Sequence, residues 1–270
     1  MVNDVVNIQP VLLTLFATLC TWSSIALGAA TVFLFRKVNR RILDGSLGLA
    51  AGIMISVSFF SLLAPAIVLS AHMGVPTWFP VTVGFLLGGV SLWLIDKILP
   101  HVHPGCPIDE AEGIHTTWRR NRLLVLALTL HHIPEGLAVG VAFGSAFSSL
   151  GITSLGAAIT LAIGIAIQNF PEGIAASMPL RGEGMSRRKS FFYGQLSGIV
   201  EPIAGVAGVL LVTISQPILP YALGFAAGAM IFVTIEDLIP ECQSGGNTDL
   251  ATLFAMLGFA LMMVLSVALG

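Results

Sequence analysis

Charge is what this sequence has least of. Twelve lysines and arginines and 14 aspartates and glutamates make up 10% of its 270 residues, against the roughly 25% of soluble domains. That excludes an ordinary soluble domain, and no nucleic-acid partner is expected. Cysteine is sparse as well. Cys20, Cys106 and Cys242 fall on one helix and two connecting stretches, so no disulfide framework is implied. A His-Glu-x-x-His motif, the usual mark of a metallohydrolase, is absent.

What fills the chain is apolar. Hydrophobic residues make up 56%, and mean hydropathy is +0.93. Crossing about 30 Å of hydrocarbon takes roughly 20 helical residues. Eight segments meet that length: 11–35, 46–70, 78–99, 122–145, 152–180, 190–215, 218–239 and 249–269. The first is too long, and its flank too poor in basic residues, for a cleavable signal peptide. The expected fold is an all-α membrane protein, one polytopic domain over 1–270.

The few charges orient it. All lysines and arginines lie at 36–41, 97–122 or 181–189, whereas the connections at 71–77, 146–151 and 216–217 have none. Excess Lys and Arg mark the cytoplasmic side, which places both termini outside. The connection at 240–248 is cytoplasmic by parity yet has no basic residue.

Two internal likenesses stand out. GLAAGIMISVSFFSLL (48–63) aligns without gaps to GFAAGAMIFVTIEDLI (224–239), with eight identities in sixteen positions. The two segments run in opposite directions, as in the inverted repeats of secondary transporters. A shared Gly-x-x-x-Gly packing surface is the simpler alternative. The second likeness is HHIPEGLA (131–138) with QNFPEGIA (168–175), leaving helices 1–3 and 6–8 as flanking triplets around helices 4–5.

The second pair carries the chemistry. His131 and Glu135 share a helix face, His132 and Glu135 also converge, and Gln168, Asn169 and Glu172 repeat both relations. Pro134 and Pro171 free the carbonyls of Leu130 and Ile167, so each motif reads as a kinked half-helix. The glycine after each glutamate allows a neighbouring helix to come close. Glu201, in GQLSGIVEPIAG, adds a third intramembrane carboxyl. One charged side chain at mid-bilayer costs about 2.5–3.5 kcal/mol. A bound dication offsets several such penalties at once, and imidazole with carboxylate and amide oxygens suits Zn, Fe or Mn better than an alkali ion. Three alternatives remain. They are a polar network of protonated glutamates that joins helices, a metal-binding membrane sensor without transport, and a membrane metalloenzyme. A carboxylate-bridged di-metal enzyme would call for Glu-x-x-His, but in these helices histidine precedes glutamate.

HHIPEGLAVGVAFG, IGIAIQNFPEGIAASMPL and FFYGQLSGIVEPIAG closely resemble helices 4, 5 and 6 of the ZIP family of divalent metal transporters, particularly its bacterial GufA-like, zinc-transporting branch. SFFSLLAPA and the PHVH of 100–103 extend the resemblance along essentially the whole chain. It implies eight helices, a binuclear site and import by alternating access. The first metal would be held by His131, Glu135, Gln168 and Glu172. The second would use His132, Asn169 and Glu201, with Glu135 and Glu172 bridging. The sequence departs from the family at His132, usually Asn, and at Asn169, often Asp; Val68 replaces an entrance acid of a relative. The expected cargo is Zn²⁺, with Fe²⁺, Mn²⁺, Co²⁺ and Cd²⁺ as further candidates, across a bacterial inner membrane. Helices 1, 4, 5 and 6 would move against a dimerising unit of 2, 3, 7 and 8.

Further expectations surround this set. Met54 and Ser61 are assigned to the path. Asp96, Glu236, Asp237 and Glu241 are candidates for relaying a released cation, with solvated helix-end carboxylates as the alternative. In the cytoplasmic loop 100–121, His101, His103, Cys106 and His115 form a candidate secondary metal site.

Overall fold

An apolar segment leaving water must satisfy its own backbone, and a helix does so internally. The computed structural model describes residues 8–35, 39–71, 73–100, 113–114, 120–148, 153–182 and 184–269, and among these it is helical with no strand. Eight helices of 21–31 residues are long and apolar enough to span a membrane: α1 (Ile8–Leu34), α2 (Arg40–Ser70), α3 (Trp78–Ile98), α4 (Val125–Ala146), α5 (Leu155–Gly182), α6 (Arg187–Thr213), α7 (Leu219–Gln243) and α8 (Thr248–Leu269). The eight expected segments are all present. Large apolar side chains face outward on α3 and α8, among them Leu86, Trp93, Leu253 and Met256. A surface of that size and composition belongs in lipid, and the protein is a multi-pass membrane protein.

Two differences from the sequence reading are local. The second helix begins at Arg40 rather than 46. Asn39 caps it by accepting from the Arg41 amide, and Arg40 Nε lies 2.7 Å from Asp44 Oδ1 one turn on. A cap and an i,i+4 ion pair thus add a polar turn that hydropathy does not register. The second correction concerns Pro134 and Pro171. The helices are not divided there but run unbroken, from Arg120 to Ala146 and from Leu155 to Gly182. Close packing follows each proline. A methyl at Gly136 would fall on the Glu201 carbonyl of α6, and one at Gly173 on the Ile25 carbonyl of α1.

The helices pair as α1 with α5, α4 with α6, α2 with α8 and α3 with α7. Small residues make the last two pairs close: Gly48 and Gly52 abut the backbone of Ala251 and Ala255, and Gly84 and Gly88 that of Tyr221 and Phe225. Each of the two similar segments also widens into a π-helical stretch, Val57–Leu63 in α2 and Thr234–Leu238 in α7. Such stretches are uncommon and re-aim the side chains that follow. The interior enclosed by α1, α2 and α4–α7 holds the polar residues.

Candidate metal site

On α4, one residue of offset separates the two histidines by roughly 100° of helix rotation. His132 turns inward and is almost fully buried, while His131 is partly exposed. Glu135, one turn on, is fully buried, and α5 brings Gln168, Asn169 and Glu172 opposite. Ligand atoms of His132, Glu135 and Glu172 all lie within 4.8 Å of one another. His132 Nε2 is 3.6 Å from Glu172 Oε2.

The two amides fix the polarity of this cradle. Gln168 Nε2 donates to Glu135 Oε1 at 3.0 Å. Asn169 Nδ2 donates to Glu201 Oε1 at 2.8 Å and to the Thr21 carbonyl at 3.2 Å. Both NH₂ groups are therefore spent on protein oxygens, leaving the amide oxygens over. Glu135 Oε2, Gln168 Oε1, Asn169 Oδ1 and Glu172 Oε1 are buried and find no donor among the described residues. Buried acceptors are normally satisfied. Four such acceptors beside an imidazole could hold a cation, and a mixture of imidazole nitrogen with carboxylate and amide oxygens is a donor set that suits a borderline transition metal.

Glu201 stands apart from this group. It is fully buried on α6, but one oxygen takes the Asn169 amide and the other faces the Thr21 hydroxyl of α1, whose single proton is shared between Glu201 and the Thr18 carbonyl at 3.0 Å. His131, expected in the first-site group, lines one cavity with Glu135 and Glu172. Its Nε2 lies 2.8 Å from Asp237 Oδ2 of α7.

A cavity of about 440 Å³ opens from the cradle, lined by Met54, His131, Glu135, Glu172, Asp237 and Glu241. A second, of about 260 Å³, adjoins it at His131 and Asp237 and reaches Asp96. Of the expected pathway residues, Met54, Asp96, Asp237 and Glu241 therefore border these spaces. Glu236 faces outward, and Ser61 turns to Ser266 of α8, 3.3 Å between hydroxyl oxygens. His101, His103, Cys106 and His115 lie outside the described residues.

Sequence reading missed two groups. Thr21 is the last of three buried threonines, with Thr14 and Thr18, on one stripe of α1. That i, i+4, i+7 spacing was the available signal. The other group closes the far end of the larger cavity. Arg40 Nη1 donates to Glu241 Oε1 at 2.9 Å and Nη2 to the Glu241 carbonyl at 2.8 Å. Its partner Asp44 is fully buried and accepts from Asn247 Nδ2 at 2.8 Å. The Arg40/Asp44 spacing on one helix was its only sequence trace.

The sequence as a whole is similar to known proteins. Residues 108–266 match the family described as ZIP Zinc transporter. Over 95% of this chain and 97% of its own length, zinc transporter ZIP11 of Homo sapiens is 41% identical. Zinc transporter GufA of Myxococcus xanthus is 38% identical over 95% of this chain and 98% of its own. Zinc transporter ZIPB of Bordetella bronchiseptica is 36% identical over 92% and 79%. The chain belongs to the ZIP family.

Proposed function

We propose that this protein carries divalent transition-metal cations, Zn²⁺ foremost, across the membrane into the cytoplasm, binding them between α4 and α5. The observation that carries this reading is the set of four buried, unmet acceptor oxygens around His132. A protonated network joining the helices would still leave the Gln168 and Asn169 amide oxygens without a donor, whereas a bound cation takes up all four oxygens. The relatives named above are zinc transporters, which supports Zn²⁺ as cargo.

In this reading the ion enters the cradle of His132, Glu135 and Glu172, with the Gln168 and Asn169 oxygens completing the shell. Ligand exchange then carries it past His131 and Asp237 toward Glu241, along the cavity that borders all of them. The basic residues at the starts of α2 and α6 lie at the Glu241 end, which supports release into the cytoplasm and outer termini. Alternating access would rest on an inverted repeat. Its support is the mirrored pairing of α2 with α8 and α7 with α3, and the π-helical stretches at matching positions of α2 and α7. The resemblance adds a second ion at Glu201.

Uptake of radioactive zinc into proteoliposomes tests the assignment. Glu172→Gln and His132→Ala should each abolish saturable uptake while the protein remains folded. Uptake equal to that of the unaltered protein in both variants refutes it.

A further inference from the structure

Of the three glutamates of α4, α5 and α6 at the site, Glu201 is the one with a hydrogen bond to each carboxyl oxygen. Thr21 and Asn169 hold it from two sides, and Asn169 also binds the Thr21 carbonyl, so three side chains from α1, α5 and α6 form a closed group. All three are buried to within 1% exposure. Beside them lies a cradle with the opposite character, four of whose acceptors find no donor among the described residues. We propose that Thr21 sets the number of ions this site holds, by keeping Glu201 out of the donor set. One divalent cation then binds at His132, Glu135 and Glu172, and a second binds only when the Thr21–Glu201 hydrogen bond is given up. The proposal rests on the cradle being the transport site.

Charge balance supports a single ion. Two carboxylates face the cradle, and together they neutralise one dication. Taking two dications into a buried site would leave a net positive charge there, which is costly in a low dielectric. Asn169 contributes an oxygen but no charge, and its NH₂ fastens Glu201 instead. Releasing Glu201 would supply a third carboxylate and, through its rotation, a ligand for a second ion. Because Thr21 lies on α1 and Glu201 on α6, any movement that draws these two helices apart breaks the restraint. Occupancy of the second position is thereby linked to conformation. Thr21 is thus a positioning residue, acting on metal through Glu201.

Replacing the Thr21 hydroxyl by a methyl removes the donor and leaves no room for the carboxyl in its present place, pushing it toward the cradle. Equilibrium dialysis of radioactive Zn²⁺ against the full-length protein in lipid nanodiscs, in a background with His101, His103, Cys106 and His115 replaced by alanine, counts ions per chain at the bundle site. One ion is expected for the unaltered protein and for Thr21→Ser, which keeps the hydroxyl, and two for Thr21→Val. Thr21→Ala, which removes the same donor with less bulk, is read in the same way if Thr21→Val fails to reconstitute. Two ions in the unaltered protein, or one in every Thr21 variant, overturn the proposal while leaving the cradle intact. No specific binding by the unaltered protein overturns the transport reading itself. A purely structural role for Thr21 would alter stability and yield without raising the ion count.

Discussion

At the scale of the residue, the doubled histidine occupies two environments that spacing alone does not distinguish. His131 and His132 are both within reach of Glu135 on a helical net, at i+4 and i+3. Packing resolves them: His132 joins Glu135 and Glu172, and His131 turns to Asp237. His132→Ala should therefore weaken equilibrium Zn²⁺ binding more than His131→Ala does. The loss of a direct ligand should exceed the roughly 10–100-fold that outer partners typically contribute. His131→Ala should chiefly lower the maximal uptake rate, because it removes a way station of the cavity. Dialysis for affinity and uptake kinetics for rate check the split; equal effects on both quantities by the two variants would contradict it. The candidate ligands themselves were legible in the sequence, since two His, three Glu and two amides on apolar helices have no cheaper use. The engagement of Glu201 was not, because its partner Thr21 lies 180 residues away on another helix.

At the scale of the element, glycine sets how close the site-bearing helices lie. Proline in HHIPEG and QNFPEG suggests a kinked half-helix, and the two helices continue through it. Local rules reveal the lost hydrogen bond but not the neighbour packed just beyond it. Gly136 is the most informative position, because a Cβ there would collide with the backbone of Glu201 rather than with a flexible side chain. Gly136→Ala must move α6 away from α4, at a cost of about 1–3 kcal/mol for overpacking. Lower thermal stability in detergent and reduced zinc uptake are expected together. A stable, fully active variant would mean that α4 and α6 are not in the close register described. Helix ends were legible to within a few residues except where polar chemistry extends the helix, as at Arg40 and Asp44.

At the scale of the whole molecule, the polar interior ends at a cross-tie. Eight helices and their order were evident from hydropathy and the three basic clusters, because lipid allows few other backbones. What joins distant helices was hidden, for it depends on pairs such as Arg40 with Glu241, 201 residues apart. Arg40 binds the start of α2 to the last turn of α7, and Asp44 binds Asn247 in the turn before α8. The next residue along α7 is Cys242, a buried free thiol. It reports on this end of the bundle without an engineered probe. Arg40→Gln keeps a hydrogen-bonding side chain but removes the charge, leaving buried Asp44 without its ion-pair partner at a cost of about 1–3 kcal/mol. The ends of α2 and α7 should then separate more often. In a background where Cys20 and Cys106 are serine, Cys242 should react several times faster with a maleimide in Arg40→Gln than with Arg40 present. Saturating Zn²⁺ should narrow that difference if the cation competes with Arg40 for Glu241, since a dication at the cavity's end attracts the carboxylate more strongly than one guanidinium does. Equal labelling rates in the two proteins, with and without zinc, would show that Arg40 does not restrain the Glu241 end of the cavity.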